Sequence, residues 1–176
     1  MHRYSRDAYW AEVILNQPLV VLALVLGCST GGVVSLALAR KFDWRRVPAV
    51  LAGCGLALAL AVTIARPGVL GVTTLHPLRL CLLNDFSLTG SLARLNFLML
   101  MPFAFFGTLA TRKPGLVLLA SAAVSGGVEL VQAITDVGVC EAQDFSNNTI
   151  GALFAVLLGW LFTRAFSDDE RKAAAP

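Results

Sequence analysis

The chain has 176 residues, is 57% hydrophobic and only 14% charged, and has a mean hydropathy of +0.73. Soluble domains carry about a quarter charged residues, so this composition points to a membrane protein rather than an apolar soluble core. The net charge of +3 is small and its cations sit in short loops, which argues against nucleic acid. With no HExxH, CxxC or Gly-rich phosphate loop, it also gives no support to a soluble zinc or nucleotide enzyme.

A membrane-spanning helix needs roughly 20 consecutive apolar residues, and five such runs appear. The first begins at Gln17 or Pro18 and ends at Ala39. The second is 47–65, between Arg46 and Arg66. The third is 95–111, between Arg94 and Arg112. The fourth is 114–135, interrupted by Glu129. The fifth is 145–163, ending at Arg164. Backbone groups in lipid must be satisfied within the segment, so all five are predicted as helices. The expected fold is an all-α, polytopic bundle forming a single membrane domain over 1–176.

Small residues recur every fourth position on three of these helices: Gly27, Gly31 and Ser35; Ala49, Gly53, Ala57 and Ala61; Gly151, Ala155 and Gly159. Such faces let backbones approach closely. Packing within the chain is the preferred reading, and a homodimer seam is the alternative. Cys28 and Cys54 fall on these helices and read as small packing residues rather than lipidation sites.

Between the second and third spans lies an outer loop, 66–93. It is too polar to cross a membrane and too apolar for a free linker, so an interfacial helix fits part of it. Orientation follows from positive charge. With the N-terminus outside, nine cations face the cytoplasm: Arg40, Lys41, Arg45, Arg46, Arg112, Lys113, Arg164, Arg171 and Lys172. Five remain outside: Arg3, Arg6, Arg66, Arg79 and Arg94. The C-terminus is therefore expected inside, with 165–176 as a cytoplasmic tail. Cys81 and Cys140 both fall on the outer side, where an oxidising compartment permits a disulfide between the long loop and the polar stretch described next.

That stretch runs from Gly126 to Gly151 and holds Glu129, Gln132, Asp136, Glu141, Gln143, Asp144, Asn147 and Asn148. Glu129 has apolar residues on both sides. A carboxylate in such surroundings needs a proton or a hydrogen-bonding partner, and intramembrane acids are functional by default. If the fourth helix ends near Asp136, Glu129 lies roughly 10 Å below the boundary at 1.5 Å per residue. Glu129 and Gln132 are spaced i, i+3, with Ser125 and Ser121 continuing the row; Asp144 and Asn148 are spaced i, i+4. The topology brings these stripes and Asn96 of the third helix to one depth in the outer leaflet. The plainer readings are a structural carboxyl at 129, interhelical glue at 132 and 96, a helix cap at 144, and an interface-anchoring Arg94.

The run from Asn96 to about Trp160 resembles the VanZ-like family of bacterial membrane proteins. The likeness rests on Asn96 and Pro102 in NFLMLMPFAFFG, on Glu129 and Gln132 in SGGVELVQ, and on Asp144, Asn148, Thr149 and Gly151 in DFSNNTIGA. It covers about 94–163. The family often has Pro-x-Gly in its third helix, where Ala104 stands here. It often has an arginine before the Asp motif, where DVGVCEAQ has none; if that arginine meets an anionic group in relatives, this chain either binds a different ligand or uses Arg79 or Arg94 instead.

The resemblance implies a cell-envelope setting in the bacterial cytoplasmic membrane and a named relative associated with teicoplanin resistance. The leading expectation is a pocket, open to the outer face, that engages membrane lipids, a lipid-linked precursor or a glycopeptide. Asn96, Gln132, Asn148, Arg79 and Arg94 would contact the ligand, and Glu129 and Asp144 would be the central acids. Two alternatives stay open: an enzyme using Glu129 and Asp144 as an acid/base pair on a lipid headgroup or peptidoglycan precursor, and a subunit of a transport or envelope complex. No metal, cofactor or nucleic acid is implied.

Overall fold

The computed structural model describes residue 13 and residues 16–65, 81–135 and 139–173, with side chains as far as 165. Among the described residues the regular structure is helical: α1 (Pro18–Lys41), α2 (Arg46–Ile64), α3 (Ser91–Met99), α4 (Met101–Thr111), α5 (Pro114–Thr135) and α6 (Ala142–Ala173). Helices α3 and α4 run on as one span, so five segments are long and apolar enough to cross a membrane. The all-helical, five-span expectation holds, and the protein is a multi-pass membrane protein. Large apolar side chains such as Leu22, Val25, Val33, Leu119 and Leu161 are exposed. In a bilayer these face acyl chains and need no protein partner.

Most boundaries follow local chemistry. Pro18 opens α1 and Pro114 opens α5, where the missing N–H costs nothing. Arg112 closes α4 in the left-handed conformation, with φ 55°, and its amide donates to the Thr108 carbonyl at 2.9 Å. Three boundaries differ from the sequence reading by three residues or more. The third span begins at Ser91 rather than 95, because Arg94 does not end it: its guanidinium donates to the Leu88 carbonyl at 3.1 Å. The same span breaks at Leu100, two residues before Pro102, whose ring nitrogen cannot continue the ladder. The fifth span begins at Ala142, and its cap is Glu141, whose carbonyl accepts the Asp144 and Phe145 amides at 3.1 and 3.3 Å. Asp144 is therefore inside the first turn and is not the cap. Residues 165–173, read as part of a tail, continue α6.

The small-residue faces pack within the chain. A Cβ on Gly53 would meet the Gly31 carbonyl oxygen at 2.6 Å, and one on Gly27 would meet the Ala57 Cβ at 3.0 Å, so α1 and α2 cross almost backbone to backbone. The Cys28 and Cys54 thiols each face the other's carbonyl across this crossing, at 3.9 Å. Gly55 does the same for α2 against α4, at the Phe103 amide.

Helix α6 is the hub, touching α3, α4 and α5, while α2 joins α1 to α4. The core sits around α6, where Leu100, Ala104, Val117, Ala152 and Ala155 cluster. The α1–α2 turn is tied to the same body, since the Arg45 amide donates to the Ala110 carbonyl at 3.2 Å.

The described part of the 66–93 loop, 81–90, contains no helix. It is an extended strip laid over the start of α6. The interfacial helix expected in this loop is absent from 81–90, and residues 66–80, Arg79 among them, fall outside the described residues.

Candidate functional site

Buried polar side chains concentrate at the end of the bundle where α5 finishes and α6 begins. On α5, Ser121, Ser125, Glu129 and Gln132 share one buried stripe; on α6, Asn147 and Asn148 are buried. Glu129 is 8% exposed. Its Oε2 accepts the Glu141 amide at 2.9 Å, so a carboxyl from α5 receives an N–H at the start of α6. That end of a helix carries partial positive charge and unsatisfied amides, which suits an acidic acceptor. With its amide nitrogen facing acceptors, Gln132 donates to Glu129 Oε2 at 3.2 Å and to the Val139 carbonyl at 3.1 Å. Asp144 lies in the first turn of α6, half-buried, near enough for its charge to act on Glu129.

The extended strip covers this group and is fastened in several ways. Cys81 and Cys140 form a disulfide. Beside it, the Leu82 amide donates to the Cys140 carbonyl at 3.0 Å, and the Ala142 amide to the Leu82 carbonyl at 2.9 Å, making a short parallel bridge. Asn84 donates to Glu141 Oε2 at 2.9 Å and accepts the Gln143 amide at 3.1 Å. The Ser87 carbonyl accepts from the Gln143 and Asn147 side chains, both at 3.1 Å. Asn147 also donates to the Ala93 carbonyl of α3 at 3.3 Å, so it pins strip, α3 and α6 together.

Removing the disulfide by Cys81→Ser or Cys140→Ser should lower stability by about 2 kcal/mol, the low end of the usual range. The enclosed chain contains two spans, and a bilayer already restricts them when unfolded. Thermal unfolding in detergent measures the shift. A reductant should produce it in the parent protein and add nothing in the variants.

Below the carboxyl layer the polar stripes are left incomplete. Ser121 Oγ turns back to the Val117 carbonyl at 2.9 Å. Ser125 Oγ, Asn147 Oδ1, Asn148 Oδ1 and Thr149 Oγ1 are buried with no protein partner. The antiparallel register sets their depth. A Cβ on Gly126 would touch the Phe145 ring at 3.7 Å, which places Ser125 and Ser121 on either side of the level of Asn148 and Thr149. Buried polar atoms without partners are rare in folded proteins. Here they are unused oxygens about two turns in from the ends where α5 and α6 meet, each able to receive a hydroxyl or N–H donor.

The sequence-predicted residues divide clearly. Glu129, Gln132, Asp144 and Asn148 are brought to one end of α5 and α6. Asn96 is half-buried on α3, one turn from the Ala93 carbonyl that Asn147 holds. Arg94 is anchored on the strip at Leu88. Arg79 lies outside the described residues. Sequence reasoning did not give roles to Asn84, Ser87, Gln143 or Asn147. Only Asn147 had a usable signal: it sits four residues before Gly151, on the helix face that meets α3. Among the described residues, no three His, Cys, Asp or Glu side chains are grouped as metal ligands.

A family model described as VanZ/LLP1 matches residues 61–163. The match spans the site and bears out the resemblance read from Asn96, Glu129, Gln132, Asp144 and Asn148. It starts earlier than that resemblance did, within α2. No curated protein and no solved structure matches the chain.

Proposed function

The chain belongs to the VanZ/LLP1 family, and on that premise we propose that it is a binding protein of the bacterial cytoplasmic membrane. Its pocket, at the outer ends of α5 and α6, takes the polar headgroup of a lipid-linked cell-envelope molecule or a glycopeptide, and the protein thereby contributes to envelope homeostasis or antibiotic resistance. The N-terminus is outside in this reading, as the positive charge near the opposite helix ends requires.

The observation that carries the proposal is that Ser125, Asn148 and Thr149 each hold a buried oxygen with no protein partner. A site made of acceptors and hydroxyls, walled by apolar helix faces, suits a ligand rich in hydroxyl or amide groups and attached to a hydrocarbon tail. Glu129 and Asp144 supply negative charge above these oxygens, and Gln132 orients the Glu129 carboxyl. Glu129 already accepts two hydrogen bonds from the protein, which favours a positioning role over proton transfer to a ligand. Access runs past the 81–90 strip. The Asn84 bonds that tie its middle to α6 are exposed, so that part of the strip can lift while the part-buried bonds to Ser87 hold.

Ser125→Ala and Asn148→Ala test the reading. Ser125 Oγ has no protein partner, so replacing it should leave the melting temperature unchanged or slightly raised, because an unpaired buried hydroxyl destabilises. Protein purified gently from native membranes should retain a polar lipid-linked species, identified by mass spectrometry of the extract. Each variant should retain about tenfold less, the loss of roughly one ligand hydrogen bond in an enclosed site. Equal retention in folded variants, or no such species in the parent protein, would overturn the proposal.

A further inference from the structure

The opposite end of the bundle holds a second site, unrelated to the pocket above. A cavity of about 410 Å³ lies between α1, α2, α4 and α5, within the roughly 300–1,000 Å³ span of small-ligand sites. Its walls are apolar and rich in small residues, among them Gly31, Gly53, Ala52, Gly107 and Ala120, and Trp44 also lines it. The missing side chains that let α1 and α2 cross so closely also leave this space unfilled. Trp44 is half-buried and stacks on Phe42 with ring centroids 5.4 Å apart. An aromatic side chain of this kind favours the level of the lipid headgroups.

The rim carries one sign of charge. Arg40 and Lys41 follow Leu38 of the wall, Arg45 and Arg46 follow Trp44, and Arg112 and Lys113 follow Thr111. All six are exposed, and the single acid in these two turns is Asp43, also exposed. The rim therefore sums to five positive charges. Three acids and three bases at the end of α6 (Asp168, Asp169 and Glu170 against Arg164, Arg171 and Lys172) leave that balance unchanged. An apolar slot below a cationic rim matches one class of membrane molecule, a glycerophospholipid with an anionic headgroup. We propose that this cavity holds an acyl chain of such a lipid while its phosphate lies among Arg45, Arg46, Arg112 and Lys113. The attraction is charge against charge at the membrane surface, so it should weaken as salt rises.

The test uses the full chain in neutral detergent, with Trp10→Phe and Trp160→Phe so that Trp44 is the sole indole. Phosphatidylglycerol and phosphatidylcholine with identical dibrominated chains are titrated in, and Trp44 fluorescence is followed. The anionic lipid should reach half-quenching at about fivefold lower concentration at low ionic strength. That gap should close in 0.5 M salt and in the Arg45→Gln, Arg46→Gln, Arg112→Gln variant. Ala120→Phe, which fills the cavity, should blunt quenching by both lipids. Equal half-points for the two lipids at low salt, or no quenching of Trp44, would overturn the proposal whether or not the arginine and Ala120 variants fold. Because these readouts do not involve Glu129, Ser125 or Asn148, they fail or succeed independently of the outer pocket.

Discussion

Glu129→Ala is expected to cost about 3 kcal/mol of stability, whereas Glu129→Gln should cost about 1 kcal/mol. Alanine deletes the acceptor of the Glu141 amide and of the Gln132 side chain. It leaves both donors buried or half-buried at the start of α6, each worth about 1–3 kcal/mol when unsatisfied. Glutamine keeps an oxygen for the Glu141 amide. The same oxygen takes the Gln132 donor, because both bonds fall on Oε2, so the loss is limited to their charge-assisted part. Thermal unfolding in detergent separates the two variants. A Glu129→Ala protein that melts with the parent would show that the carboxyl does not hold the α5–α6 junction. The pair also divides structure from recognition. If Glu129→Gln keeps its fold but loses the retained lipid species, the negative charge itself is read by the ligand.

The sequence made the spans legible because hydropathy is a property of consecutive residues. The fourth span, 114–135, coincides with α5, since Pro114 and a run of apolar residues mark it without interference. Charge misled at the third span. Arg94 looked like a boundary, yet it lies inside α3, because the strip offers it a carbonyl at Leu88 that no linear pattern displays. The same limit applies to the site. Spacing placed Glu129 with Gln132, and Asp144 with Asn148, on common helix faces. It could not reveal that Glu129 answers an amide at residue 141, because that contact depends on how α5 and α6 meet. Asn84 and Ser87 were invisible for the same reason: their partners lie some 56 to 60 residues away, and neither residue type is unusual in a loop.

Gly151→Ala is expected to destabilise the protein by at least about 3 kcal/mol, although alanine is intrinsically the better helix former by about 1 kcal/mol. A Cβ at Gly151 would run into the Phe97 carbonyl oxygen. That oxygen belongs to the backbone of α3, so relief requires α3 and α6 to separate as rigid bodies rather than one side chain to turn. The crossing also matters for the site. Gly151 and Phe97 lie one helical turn from Asn147 and Ala93, whose hydrogen bond at 3.3 Å ties the same two helices. Spreading the crossing therefore strains that bond and exposes the neighbouring Asn148. Gly127→Ala is the control: no atom lies within 4 Å of its added Cβ, so only the intrinsic term remains, and a gain of up to about 1 kcal/mol is expected. Opposite shifts in melting temperature for two glycine-to-alanine changes would locate the close approach at 151. A Gly151→Ala protein as stable as its parent would mean that α3 and α6 can part at this level without loss, and the enclosure of Asn148 would then have to come from α5 alone.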